Sequence, residues 1–315
     1  MSGTSCPVRV QLENRAGRPT MTKIKYWFLA TRPWSFAMSA ISVTVGATLA
    51  AVHGHFSFSL YLATVSGVVF MHAAGNLLND YFDVKAGVDT LETGTARYRP
   101  HPLLQGRLSP ILVRNTAFSL LALGGAFGIA LTILRGWPVL AIGLLGTFGA
   151  IAYTAPPFRY KYIALGEAGV FLIWGPLMVS GAWFVQTGFL SLEPVWVSIP
   201  FGVLVAQVLV ANNLRDVEHD AARGITTIAT LMGPSNGLLL YLLLMVFAYA
   251  AVALLSLAGP LTPWSLLVFL SMPLAWRLIR EMSREIPEDS DARTARLDTL
   301  FGLLLVISLV LESVL

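Results

Sequence analysis

Two short stretches hold the residues best suited to chemistry. Residues 75–83 run from Gly75 through Asn76, Asn79 and Asp80 to Asp83, and residues 212–220 run from Asn212 through Arg215, Asp216 and His219 to Asp220. Asn76, Asp80 and Asp83 are spaced i, i+4 and i+7, so a helix places them on one face. Asn212 likewise precedes Asp216 by one helical turn, with Asp220 a turn further on. Each stretch closes a long apolar run, and an ionised Asp at membrane depth costs roughly 2.5 to 3.5 kcal/mol. Two such clusters need a neutralising partner. Carboxylate and amide oxygens suit a hard ion, and Mg2+ takes one or two carboxylates while keeping positions for water and phosphate oxygens. The expected metal set is therefore Asn76, Asp80, Asp83, Asn212, Asp216 and Asp220, and a metal held there would bind a diphosphate. His219 is left out of the set because Mg2+ prefers oxygen.

Two basic segments could meet that anion. The stretch between Lys85 and Arg107 carries Arg97, Tyr98, Arg99 and His101, and arginine suits forked contacts with phosphate oxygens. Residues 153–162 carry Arg159 and Lys161 among the tyrosines 153, 160 and 162. Asn76, Asn212, Arg97, Arg99, Arg159 and Lys161 are the expected diphosphate-binding residues. Tyr153 and Lys161 join the four aspartates as catalytic candidates, with the Tyr153 ring suited to a cationic species. The blander reading makes these arginines orientation charges and the rings an interfacial belt.

The elements that must position these groups are membrane helices. The chain has 315 residues, 56% hydrophobic and only 12% charged, with a mean hydropathy of +0.70. Such a composition excludes an ordinary soluble domain. Apolar runs fall at about 34–52, 57–80, 112–134, 137–154, 165–186, 194–214, 236–258, 264–280 and 297–315, near the length that crosses a bilayer core. The expectation is an all-α bundle of nine transmembrane helices forming one domain over 27–315, after a polar tail at 1–26. The Asp-rich motifs end the second and sixth spans, which suggests a pseudo-repeat. With the first tail inside, every one of the 21 lysines and arginines except Arg135 falls on the inner side. That asymmetry predicts a cytoplasmic N-terminus and a cytoplasmic site. It also accounts for the net charge of +4 without nucleic acid as a partner. Cys6 is the single cysteine, so no intramolecular disulfide forms. No cleavable signal peptide precedes the first span, and Met21 offers an alternative start.

Four stretches give the chain a family likeness: Arg32-Pro33; Gly75-Asn76 through Asp83 with Gly87 and Asp89; Tyr153-Thr154 through Gly166-Glu167; and Asn212 through Asp220 with Gly224 and Thr227. On these the chain resembles the UbiA superfamily of intramembrane prenyltransferases, and within it the 1,4-dihydroxy-2-naphthoate polyprenyltransferases of menaquinone biosynthesis. The resemblance implies Mg2+, a polyprenyl diphosphate donor, an aromatic small-molecule acceptor and loss of the acceptor's carboxyl group. It implies residence in the lipid bilayer, here taken as a prokaryotic plasma membrane. Other acceptors remain open, 4-hydroxybenzoate or a glycerol-phosphate lipid precursor among them. A different class, a cation-coupled transporter, would also use intramembrane carboxylates.

Overall fold

The computed structural model describes residues 22–91, 96 and 100–314. Arg97 and Arg99 lie outside the described residues, as do Cys6 and Met21. Among the described residues the chain is helical throughout, with a single isolated β-bridge between Ile163 and Thr226.

Helix α1 (Lys23–Thr31) starts inside the polar tail expected over 1–26, where the Thr22 side chain accepts from the Lys25 N–H at 3.4 Å. Arg32 then takes a left-handed conformation (φ 54°), and Pro33–Ser35 forms a 3₁₀ turn into α2 (Phe36–Val52). Next come α3 (Phe58–Lys85), α4 (Pro110–Arg135) and α5 (Trp137–Ala152). Prolines at the first turns of α4 and α5 cost nothing, because those N–H groups have no helical acceptor. α6 (Gly166–Leu172) runs through a π-helical turn at Ile173–Leu177 into α7 (Met178–Thr187). α8 (Glu193–Arg215) leads to the short α9 (Val217–Ala222), then to α10 (Ile228–Ala258). A 3₁₀ stretch, Pro263–Ser271, continues into α11 (Met272–Arg284), and α12 (Ser290–Val314) closes the fold.

Among the described residues, seven helical segments are long and apolar enough to cross a membrane: Lys23–Val52, Phe58–Lys85, Pro110–Arg135, Gly166–Thr187, Glu193–Arg215, Ile228–Ala258 and Ser290–Val314. The other two expected spans are built differently. The run at 137–154 is α5, only 16 residues long. The run at 264–280 is the 3₁₀ stretch and α11 in succession.

Small residues let the helices approach closely, as packing in lipid favours. A Cβ on Gly46 of α2 would stand 2.2 Å from the Val179 carbonyl oxygen, and one on Gly202 of α8 would stand 2.8 Å from the Gly175 Cα. Trp183, Phe201, Tyr241, Met245, Leu297 and Phe301 fill the main core, which joins α2, α7, α8, α10 and α12. This buried core packs around α8, whose C-terminal end carries the second Asp motif.

Candidate active site

The ends of α3 and α8 converge on one cavity of about 440 Å³. Asn76, Asn79 and Asp83 of α3 face it, with Asp89 from the turn that follows. Asn212, Asp216 and Asp220 face it from α8 and α9. Arg32, Lys161, Tyr153 and Tyr162 complete the polar end, and Met71, Phe127, Leu131, Ile142 and Leu177 line the rest. A charged end therefore opens onto an apolar chamber.

At about 100° per residue, Asn76, Asn79 and Asp83 share a narrow arc of α3, and Asp80 lies at its edge. The neighbouring Arg32 decides what Asp80 does there: its guanidinium donates to Asp80 Oδ1. Asp80 does not line the cavity wall, although Asp83 does. The motif Asn-x-x-x-Asp in fact occurs twice in α3, at 76/80 and at 79/83. The sequence reading paired Asn76 with Asp80, whereas the structure brings Asn79 and Asp83 to the cavity and turns Asp80 towards Arg32.

Asp83 is 1% exposed and compensated from the 153–162 turn. Lys161 Nζ donates to its Oδ2 at 2.7 Å, and the Tyr162 hydroxyl donates to its Oδ1. The same ammonium lies 5.7 Å from the Tyr153 ring centre and 5.4 Å from that of Tyr162. Burial alone would lower the Lys161 pKa, but the Asp83 carboxylate beside it outweighs burial and holds it well above the usual lysine range. Lys161 is a fixed cation at the cavity. Burial drives the Tyr153 phenol up, so it stays protonated.

In the second motif, Arg215 Nε and Nη2 donate to Asp216 Oδ1 and Oδ2 at 3.0 and 2.6 Å, and Nη2 also reaches Asn212 Oδ1 at 2.7 Å. Arg215 further pairs with Asp291 of α12 at 2.9 Å, which ties the motif to the core half. Asp220 continues the turn, its N–H donating to the Asp216 carbonyl at 2.8 Å. Burial, reinforced by the Asp216 charge, pushes the Asp220 carboxyl up to about 7. Asp89 goes the other way, to about 2: burial opposes this, but the His101 imidazole and the Lys161 and Arg32 charges outweigh it.

A directional hydrogen-bond chain orients Asn76. Trp174 Nε1–H donates to Ser39 Oγ at 3.0 Å. The Ser35 hydroxyl donates its one hydrogen to the Arg32 carbonyl at 2.7 Å, so His72 Nε2 donates to Ser35 Oγ at 3.1 Å and its Nδ1 accepts from the Ser39 hydroxyl at 2.7 Å. Asn76 Nδ2 donates to Ser35 Oγ at 3.1 Å and to the Thr31 carbonyl at 2.9 Å. With both amide hydrogens committed, the Asn76 oxygen is its remaining polar group.

Asp83, Asp216 and Asp220 and the amides of Asn76, Asn79 and Asn212 all line this cavity, and their oxygens are of the donor type that suits Mg2+. Not every expected residue joins it. Arg159 is exposed, in a left-handed conformation (φ 46°), and is absent from the cavity wall. His219 lines the wall, with Nε2 3.2 Å from the Val88 carbonyl oxygen and Nδ1 2.7 Å from Arg223. Arg32, Asn79, Asp89 and Tyr162 were missed as site residues. So was Asn213, which lines the wall and whose Nδ2 donates to the buried Glu167 Oε1 at 2.8 Å. The repeated Asn-x-x-x-Asp spacing is the one sequence signal that could have found Asn79.

Residues 39–304 match the model of the UbiA prenyltransferase family. The chain is 32% identical to human UbiA prenyltransferase domain-containing protein 1, over 98% of this chain and 89% of that protein. It is 29% identical to the 1,4-dihydroxy-2-naphthoate octaprenyltransferase of Bacillus subtilis, over 90% of this chain and 91% of that one. Among solved structures, a UbiA homologue from Archaeoglobus fulgidus bound to GPP and Mg2+ superposes with a TM-score of 0.64 at 17% identity, covering 90% of this chain and 99% of that chain. The apo UbiA homologue from Aeropyrum pernix gives 0.63 at 20% identity, covering 87% of this chain and 97% of that chain. The solved structures share the fold.

Proposed function

Because the chain belongs to the UbiA prenyltransferase family, we propose that it moves a polyprenyl group from an allylic diphosphate to an aromatic acceptor, 1,4-dihydroxy-2-naphthoate, in a Mg2+-dependent reaction. One observation carries this reading: a carboxylate and amide end, flanked by fixed cations, opens directly onto an apolar chamber. A diphosphate with a long hydrocarbon tail has that division of chemistry. The acceptor assignment is supported by the Bacillus subtilis relative and by the motifs quoted above. The bound GPP and Mg2+ of the archaeal homologue support the donor and the metal.

Asp83, Asp216 and Asp220, with Asn76, Asn79 and Asn212, would hold Mg2+. Bound there, the metal supplies charge stabilisation to the departing diphosphate. Lys161 and Arg32 add fixed positive charge on the same anion, preorganised and shielded from water. The allylic C–O bond breaks with its electron pair going to the diphosphate. The Tyr153 ring, already beside the Lys161 ammonium, faces the carbon that becomes electron-poor. The acceptor's ring carbon bonds to it, and the carboxyl group on that carbon leaves as CO2. The apolar chamber excludes the water that would otherwise capture the cation as an alcohol.

The test is product analysis by mass spectrometry. Full-length protein in detergent receives Mg2+, farnesyl or geranylgeranyl diphosphate, and either 1,4-dihydroxy-2-naphthoate or 4-hydroxybenzoate. A decarboxylated prenylnaphthoquinol is expected, which air oxidation during work-up converts to the quinone. Prenylation of 4-hydroxybenzoate alone would replace the acceptor and keep the reaction class.

A further inference from the structure

Asp80, Asp89 and His101 form the one group of three or more acidic or imidazole side chains, among the described residues, whose ligand atoms lie within 4.8 Å of one another. Such a set of one nitrogen and two oxygens resembles a transition-metal site. The imidazole argues otherwise. His101 is 2% exposed, and the Leu104 N–H points at its Nδ1 from 3.4 Å. Nδ1 is therefore the nitrogen with the free lone pair, and Nε2 carries the proton. Ligation through Nε2 would require the opposite tautomer. That Nε2 faces Asp89 Oδ2 at 3.4 Å, while Asp80 Oδ1, at 3.9 Å, is beyond hydrogen-bond reach, and neither contact has full hydrogen-bond geometry. Asp80 Oδ1 is at the same time the acceptor for Arg32.

We propose that Asp80 and His101 are positioning residues, not metal ligands: the buried imidazole backs the Asp89 carboxylate and the Asp80 carboxylate anchors Arg32, so that Asp89 and Arg32 present their charges to the cavity. The inference rests on the diphosphate reading of that cavity, since Arg32 and Asp89 line its polar end. The cluster joins the α1–α2 junction to the last turns of α3, the turn at Asp89 and the stretch that begins at Pro100. Residues that orient a metal or anion site in this way typically change affinity or activity by about 10- to 100-fold when removed.

Two readouts test it on the full-length protein. The first is nitrogen-15 NMR of the His101 ring, compared with His101→Gln to assign the signal. A protonated Nε2 is expected whether or not added Zn2+ or Mn2+ is present. An Nδ1-protonated ring, or a signal displaced or broadened specifically at His101 by one equivalent of metal, overturns the proposal. The second is steady-state kinetics. His101→Phe and Asp80→Asn should raise the KM for prenyl diphosphate by roughly 10-fold or more, with a smaller effect on kcat. His101→Gln, which keeps an N–H donor near the place of Nε2, should recover most of that loss. Equal KM values for His101→Phe and the unchanged protein would contradict the proposal. Failure of the unchanged protein to turn over any prenyl diphosphate would instead refute the proposed function, and the ring tautomer would still decide the role of His101.

Discussion

Lys161 and Asp83 show how much of the chemistry is settled by single contacts. Asp83 is buried and held by one ammonium and one phenol, and a buried charge left without its partner is strongly penalised. Lys161→Met removes the cation that both compensates Asp83 and faces the cavity. We expect kcat to fall by about 10²- to 10³-fold, the usual cost of deleting one preorganised electrostatic donor; a fall of less than threefold would remove Lys161 from the account. At this scale the sequence was informative about residue type and weak about direction. Spacing pointed to the carboxylate clusters and residue type to Tyr153 and Lys161, and the structure brings Asp83, Asp216, Asp220, Tyr153 and Lys161 to one cavity wall. Which of Asp80 and Asp83 faces the cavity was not, because both lie within one helical turn and the choice depends on Arg32, which reaches Asp80 from a different helix junction. Arg159 and Lys161 were equally good candidates in the sequence. The left-handed conformation at Arg159 directs the chain so that only Lys161 reaches the wall.

The helices were legible through hydropathy, and their close contacts were not. Gly46 and Gly128 are both glycines inside apolar helices, yet a Cβ on Gly46 meets backbone at 2.2 Å while one on Gly128 meets nothing within 4 Å. Gly46→Ala should therefore destabilise the bundle by about 1 to 3 kcal/mol through overpacking. Gly128→Ala should be neutral or slightly stabilising, since alanine favours helix by about 1 kcal/mol over glycine. Thermal unfolding in detergent separates the two, and equal midpoints would contradict the packing described. Hydropathy also missed the π-helical turn at Ile173–Leu177, where Gly175 leaves helical geometry and Pro176 follows. Apolar content reports burial in lipid, not hydrogen-bond register. The distortion has a positional effect: Trp174 sits in that turn, and its indole begins the hydrogen-bond chain that orients Asn76.

For the whole molecule, the all-helical membrane architecture and the meeting of the two Asp motifs were both legible, because charge, hydropathy and helix-end spacing agree on them. Orientation is a separate prediction, carried by the confinement of the basic residues to one side. In a Cys6→Ser background, His55→Cys in the α2–α3 connection should react with a membrane-impermeant maleimide on intact bacterial cells. Phe158→Cys should react only after the membrane is opened. The reverse pattern would place the cavity's polar end outside. Whether α3 and α8 together hold a metal-bound diphosphate is decided by calorimetric titration of a non-hydrolysable geranylgeranyl diphosphate analogue into the detergent-solubilised protein. Binding should require Mg2+, disappear with a chelator, and be lost in both Asp83→Asn and Asp216→Asn, one from each motif. Tight binding that survives the chelator, or that survives loss of either aspartate, would contradict the shared metal site.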